Sequence, residues 1–164
     1  MLIRPVITDL EVIKAYEIER TVFTQESAAS LEAFQMRKTI FGPYFLVAET
    51  ESTSQIVGVT NGIKLSHMDL SDESIKQASE YEVDGSYFCI LTIAVHPSHQ
   101  RQGIASALLK RIIQIAQEDQ LKGIVLMCEE HLISFYEKHG FRYIMPSNSS
   151  HGGIQWHEMN FIWK

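Results

Sequence analysis

Ile93-Ala94-Val95-His96-Pro97-Ser98-His99-Gln100-Arg101-Gln102-Gly103-Ile104-Ala105 is the stretch on which the fold turns. Its first three residues close a run, Ser86 to Val95, that is almost wholly β-branched, aromatic or aliphatic. A run apolar on both faces belongs in the middle of a sheet. Pro97 ends the strand because it has no amide to give to a ladder. From Gly103 to about Asp119 the period becomes helical: Ile104, Leu108, Ile112 and Ile115, with Ala105, Leu109 and Ala116 beside them, form one apolar stripe. A strand that turns through a polar loop into a helix delivers unpaired backbone amides and the positive end of a helix dipole to one point, which is a site for an anion. A pyrophosphate fits there. Gly103 removes a side chain where backbone must approach a ligand, Ala105 keeps the position small, and Arg101 adds positive charge. Other phosphate loops fit worse, since the chain has neither Gly-x4-Gly-Lys-Ser/Thr nor Gly-x-Gly-x-x-Gly.

Downstream, Gly123 to Cys128 reads as another buried strand, His131 to His139 as a helix closed by Gly140, and Phe141 to Ile144 as the next strand. Strand, helix and strand in this order predict a parallel pair at the sheet centre. Met145 to Gly153 is rich in turn formers, and Ile154 to Trp163 supplies a final strand whose alternation sends His157 and Glu158 to opposite faces. His131, His139 and His151 read as solvated or turn residues.

Upstream, Thr8-Asp9-Leu10-Glu11 has the spacing of a capping box, so a first helix is expected to about Phe23. A polar stretch from Thr24 to Ser30 precedes a second helix over Leu31 to Ile40, ended by Gly42-Pro43. Tyr44 to Glu49 and Gln55 to Leu65 predict an antiparallel hairpin, and the polar excursion from His67 to Asp84 includes a candidate short helix over Ser71 to Glu80. The expected architecture is α/β (α+β) in one domain over residues 1–164: a mixed, mostly antiparallel twisted sheet with a central parallel strand pair and flanking helices.

The 164 residues are 45% hydrophobic and carry a formal net charge of −6, enough apolar content for one sizeable core. That charge argues against a nucleic-acid binder, because phosphate backbones demand a basic face. It would suit a cationic substrate, but a mildly acidic surface is also a common solubility device, so charge alone selects no substrate. No apolar stretch reaches a membrane span and no secretory signal opens the chain, so the expectation is a cytoplasmic protein without a membrane partner. Cys89 and Cys128 lie inside apolar runs without metal-ligand spacing, so they read as buried free thiols and no metal is expected.

Gln100, Gly103 and Ala105 match the Gln/Arg-x-x-Gly-x-Gly/Ala signature of the GNAT N-acetyltransferases, which the chain resembles over about Leu2 to Trp163. The resemblance implies a sheet splayed around acetyl-CoA. It assigns the loop amides of Arg101, Gln102, Gly103, Ile104, Ala105 and Ser106 to the pyrophosphate, and the strand end, Ile93, Ala94 and Val95, to the pantetheine arm and acetyl carbonyl. The segment Val125 to Phe141 and Glu17-Ile18-Glu19-Arg20 further resemble the arylalkylamine N-acetyltransferase branch. There the helix tyrosine, here Tyr136, is the general acid for the departing thiolate, and a phenol near pKa ~10 suits that task. By the same resemblance Ser134 is a candidate for the cofactor arm and Glu19 for the amine pocket.

One departure stands out. The branch's two histidines that help deprotonate the amine fall at Cys89 and Leu91, neither of which can act as that base. A carboxylate or a water chain is then the expected route. Cys89 as an acetyl-carrying nucleophile has no histidine at motif-like spacing. The expected activity is direct acetyl transfer from acetyl-CoA to a small primary amine. The alternatives are a protein N-terminal or lysine acetyltransferase and a non-catalytic acyl-CoA sensor. Dimerisation is common in the superfamily, so a homodimer is among the expected partners.

Overall fold

The computed structural model describes residues 1–70 and 80–163. In chain order these form β1 (Leu2–Pro5), α1 (Asp9–Val22), α2 (Leu31–Phe41), β2 (Leu46–Glu49), β3 (Ile56–Leu65), β4 (Tyr87–Val95), α3 (Ile104–Glu118), β5 (Gly123–Cys128), α4 (Ile133–Glu137), β6 (Arg142–Pro146) and β7 (His157–Ile162). The candidate helix over Ser71 to Glu80 lies almost wholly outside the described residues.

The seven strands make one sheet in the order β1-β2-β3-β4-β5-β7-β6. Every pairing is antiparallel except β4 with β5, which is parallel. β4 is therefore central, as its two apolar faces demand. One face is covered by α1 and α2, where Val12, Ala15, Ile18 and Phe34 pack on Val47, Val59 and Ile63. The other is covered by α3 and α4, where Leu108, Ile112, Ala116 and Tyr136 meet Leu46, Phe88 and Leu126. Among the described residues no helix is long and apolar enough to cross a membrane.

The N-terminus of α1 forms as its sequence predicts: the Thr8 hydroxyl accepts the Glu11 amide at 3.1 Å, and the Glu11 carboxylate accepts the Thr8 amide. β1 is an element that the residue pattern does not announce. Its four residues alternate poorly and end in Pro5, so it carries no strand signature of its own. Tertiary contacts hold it at the edge, where Arg4 binds Glu11 at 2.6 Å and Glu49 at 2.8 Å. Arg4 holds the Glu11 carboxyl down at about 2. The helix expected over His131 to His139 is shorter, a 3-10 turn at Glu130–Leu132 followed by α4, and Gly140 ends it at φ 96°. β6 in turn extends to Pro146, beyond the expected Ile144.

Candidate functional site

β4 and β5 pair only from Tyr87–Gly123 to Ile90–Leu126. Beyond Ile90, β4 keeps β3 as its partner while β5 keeps β7, so the two central strands part. The pairing of β3 with β4 shifts register at the same place: Asn61 faces Thr92 but Gly62 faces Ile90, leaving Leu91 as an extra residue on β4. Such an irregularity bends a strand and re-aims its side chains.

A cleft of about 710 Å³ opens where the strands part, within the range of ligand-binding cavities. One wall is Ile93, Ala94 and Val95 of β4, continued by His99, Gln100 and Arg101. The N-terminus of α3 supplies Gly103, Ile104, Ala105 and Ser106. Glu129, His131, Leu132 and Phe135 stand opposite, and Val22 and Phe23 close the α1 side.

The loop before α3 is held from within. His96 donates its amide to the Val57 carbonyl at 2.8 Å, and the Gln100 side chain donates to the Val95 carbonyl at 3.1 Å. The chain then passes through left-handed conformations at Arg101 (φ 64°) and Gly103 (φ 80°), the second natural only for glycine. The first backbone bond into α3 from this turn runs from the Ala107 amide to the Gly103 carbonyl at 3.0 Å. The amides of Ile104, Ala105 and Ser106 precede any intrahelical acceptor and stand at the positive end of the dipole. A Cβ built on Gly103 meets no atom within 4 Å, so the backbone here faces open space that a ligand can approach closely. These features fit a pyrophosphate.

Of the residues singled out in the sequence, the structure brings Ile93, Ala94, Val95, Arg101, Gly103, Ile104, Ala105 and Ser106 together on this cleft. Gln102 is exposed on the loop and Ser134 is exposed on α4, and neither is part of the lining. Tyr136 is buried in a small extension of about 40 Å³ that continues between the parting strands, walled by Phe23, Leu91, Met127 and Trp156. Its hydroxyl has no hydrogen-bond partner among the described residues, and burial, then the neighbouring Cys128, raises its pKa above the ordinary phenol value.

Glu19 departs from its expected place at the amine. It is fully buried, with Oε2 accepting the Ala29 amide at 2.6 Å and Oε1 accepting the Thr92 hydroxyl at 2.9 Å. The reason is that α1 turns this residue toward β4 and the buried Arg37 instead of toward the cleft.

Sequence reasoning did not assign Glu129, which lines both the cleft and its extension, or His131, which lines the cleft. A carboxylate directly after a buried parallel strand was the available signal for Glu129. Another contact without a sequence signal joins two connections: His151 Nε2 lies 3.0 Å from the Ser27 carbonyl. Trp156 Nε1 donates to the His151 carbonyl at 2.9 Å, which ties the β6–β7 connection down over the α1–α2 connection.

The model of the Acetyltransferase (GNAT) family matches residues 12–141. The chain belongs to the GNAT acetyltransferase family. Serotonin N-acetyltransferase of Mesocricetus auratus is 35% identical over 68 residues, covering 41% of this acetyltransferase. The match spans only 33% of that relative's length. An uncharacterized N-acetyltransferase of Bacillus subtilis (strain 168) is 21% identical over 135 residues, covering 82% of this chain and 94% of that one. Among solved structures, Ard1 from Thermoplasma volcanium superposes with a TM-score of 0.74 at 20% identity over 99% of this chain and 97% of that one. A GNAT-like decarboxylase in complex with isobutyryl-CoA reaches 0.84 at 15% identity, with 99% of each chain covered. At these identities the superpositions establish the fold alone. The family establishes an acetyl-CoA-dependent acyltransferase.

Neither thiol of this acetyltransferase has the character of a nucleophile. Cys89 is buried, and burial followed by the Glu129 charge pushes Cys128 up to about 12. Cys128 is far from the low-pKa state that reactive cysteines share, and Cys89 is not accessible.

Proposed function

We propose that the enzyme transfers the acetyl group of acetyl-CoA to the primary amine of a small molecule by direct attack within a ternary complex. Acetyl-CoA supplies the activated thioester. The amides of Ile104, Ala105 and Ser106 receive its pyrophosphate, with Arg101 beside them, and the free edge of β4 at Ile93 to Val95 aligns the arm and the acetyl carbonyl. Glu129, at the junction of cleft and extension, attracts an ammonium group and accepts its proton, a task that Cys89 and Leu91, standing where the related branch has histidines, cannot perform. Tyr136, whose raised pKa keeps it protonated across the physiological range, enters only as a donor to the departing sulfur. A neutral Cys128 is a poor nucleophile, which supports direct attack by the amine over an acyl-enzyme on that thiol.

The observation that carries the small-molecule reading is the small extension of about 40 Å³ beside Tyr136. His151 reaches across to the Ser27 carbonyl, and a Cβ on Gly152 would come within 2.7 Å of Ser27 Cβ, so the two connections are in close contact. A peptide acceptor needs an open groove for its chain. The walls of Phe23, Leu91, Met127 and Trp156 favour an amine with an apolar or aromatic tail. A panel of arylalkylamines, polyamines, aminosugars and N-terminal and lysine peptides, assayed with acetyl-CoA by thiol release, tests this. Turnover confined to apolar small amines supports the reading, and preferential turnover of peptides defeats it.

A further inference from the structure

Four buried polar side chains from four elements meet where β4 leaves β5. The Thr92 hydroxyl donates to Glu19 Oε1 at 2.9 Å and lies 3.3 Å from Arg37 Nη1, which also donates to Asn61 Oδ1 at 2.7 Å. All four side chains are at or below 1% exposure. Asn61 and Thr92 are register partners across β3 and β4, next to the extra residue Leu91. The Thr92 carbonyl is held too, accepting the Thr60 hydroxyl at 2.8 Å.

The outer end of this network is a loop. Glu19 Oε2 accepts the Ala29 amide at 2.6 Å, within the α1–α2 connection that His151 latches at Ser27. Its backbone reaches the acceptor wall directly, because the Phe23 amide donates to the Glu19 carbonyl at 2.9 Å. Phe23 and Leu91 both wall the extension beside Tyr136, and each adjoins a member of the network. Removing one partner from a buried charged network leaves another without its compensation, so such clusters hold geometry firmly.

We infer that Glu19, Thr92, Arg37 and Asn61 form a positioning relay that fixes the α1–α2 connection to the β4 irregularity, and so sets the shape of the acceptor end. The kinetic part rests on the reading of that end as an amine site, while the structural part does not. None of the four touches the cleft as a catalytic group. The relay acts through Phe23, Leu91 and Ala29.

The test compares wild type, Thr92→Val and Thr92→Ser. Hydrogen exchange over residues 24–30 reads the relay without any acceptor, and the KM for 2-phenylethylamine against the acetyl-CoA Kd reads its consequence. In Thr92→Val, exchange over 24–30 is expected to rise at least about tenfold while α3 is unchanged, a local opening without global unfolding. The amine KM is expected to rise about tenfold, the acetyl-CoA Kd to stay within about twofold, and Thr92→Ser to restore both. Unchanged exchange over 24–30, or a uniform increase across the chain, overturns the relay. Should Thr92→Val not fold, Arg37→Lys is read by the same exchange measurement, since lysine keeps the charge but loses the guanidinium Nη1 that reaches both Asn61 and Thr92. Failure of the wild type to acetylate any amine would sink the amine reading alone, and exchange would still decide the relay.

Discussion

The two ends of the cleft are built in different ways. The end proposed for the cofactor is made from consecutive residues: a strand edge, a loop pinned by His96 and Gln100, and a helix start at Gly103, all within Ile93 to Ser106. The end proposed for the acceptor is assembled from distant segments, with Phe23, Leu91, Met127 and Trp156 meeting in the extension and Trp156 tied to His151, which contacts Ser27. On the proposed reading, backbone amides and a glycine bind what any acyl-CoA presents, while side chains brought together over long sequence separations discriminate among acceptors. One end can therefore be damaged without the other, and each perturbation below separates them or shows that they act as one.

The largest effect is expected at Gly103. Gly103→Glu places a carboxylate in the open space before the α3 amides, and acetyl-CoA binding should weaken by roughly 100-fold or more, on the scale of a like-charge juxtaposition. Calorimetry checks this, and the exchange behaviour of residues 24–30 should not move. An unchanged Kd would remove the pyrophosphate assignment. Tyr136→Phe comes next, with kcat expected to fall by about 100-fold and the acetyl-CoA Kd nearly constant, as for loss of a positioned acid. A fully active phenylalanine variant would leave Tyr136 as a packing residue alone.

A smaller and one-sided effect is expected from Gly152→Ala. Gly152 has φ 65°, and an added Cβ would lie 2.7 Å from Ser27 Cβ and 2.9 Å from its Cα, so the latch must shift. Misplacement of the acceptor wall should lower kcat/KM for the amine by about tenfold without altering acetyl-CoA affinity. Equal losses for both substrates would show that the two ends are coupled.

The smallest effect concerns Glu158 of β7, the cross-strand partner of Met127. Burial and then Asp69 raise its pKa, against a hydrogen bond from Ser147 that lowers it. A carboxyl raised on folding favours the protonated form, so its stabilising contribution is present below the unfolded value and lost as pH rises through the folded one. Glu158→Gln should therefore raise Tm at pH 7 by about 1 °C, a modest gain because solvent screens the group, and change little at pH 4. Thermal melts at the two pH values are the check. A lower Tm at pH 7 would mean that the charge serves a partner on the acceptor side.

The same contrast explains what the residues disclose before folding. The alternation of strand and helix periods from Ser86 to Cys128 marks the parallel pair, and Gly103 with Ala105 marks the helix start, because both are local constraints. Ser134 and Gln102 come from the resemblance alone, and their exposure depends on how α4 and the loop are turned. Glu19 illustrates the limit: one carboxylate on an amphipathic helix is equally able to face solvent, substrate or core. Only the arrival of Thr92, Ala29 and Arg37 from elsewhere decides it. β1 is hidden for a similar reason, since its place depends on Arg4 meeting Glu11 and Glu49. Glu129 was readable as a carboxylate at a strand end, but its position at the junction follows from the parting of β4 and β5.

That parting also bears on solubility. A sheet ordinarily keeps its unpaired rims at its two outer strands, where charges and prolines discourage foreign chains. Here β4 from Leu91 to Val95 has an additional rim in the interior of the sheet, on the side that β5 has left. It carries Ile93, Ala94 and Val95 without a single charge. Its surroundings differ from those of an outer strand: α3, the Phe23 corner and Leu132 stand around it as walls of the cleft. The chain thus keeps a length of unpaired backbone at the foot of a cleft and not along an outer edge.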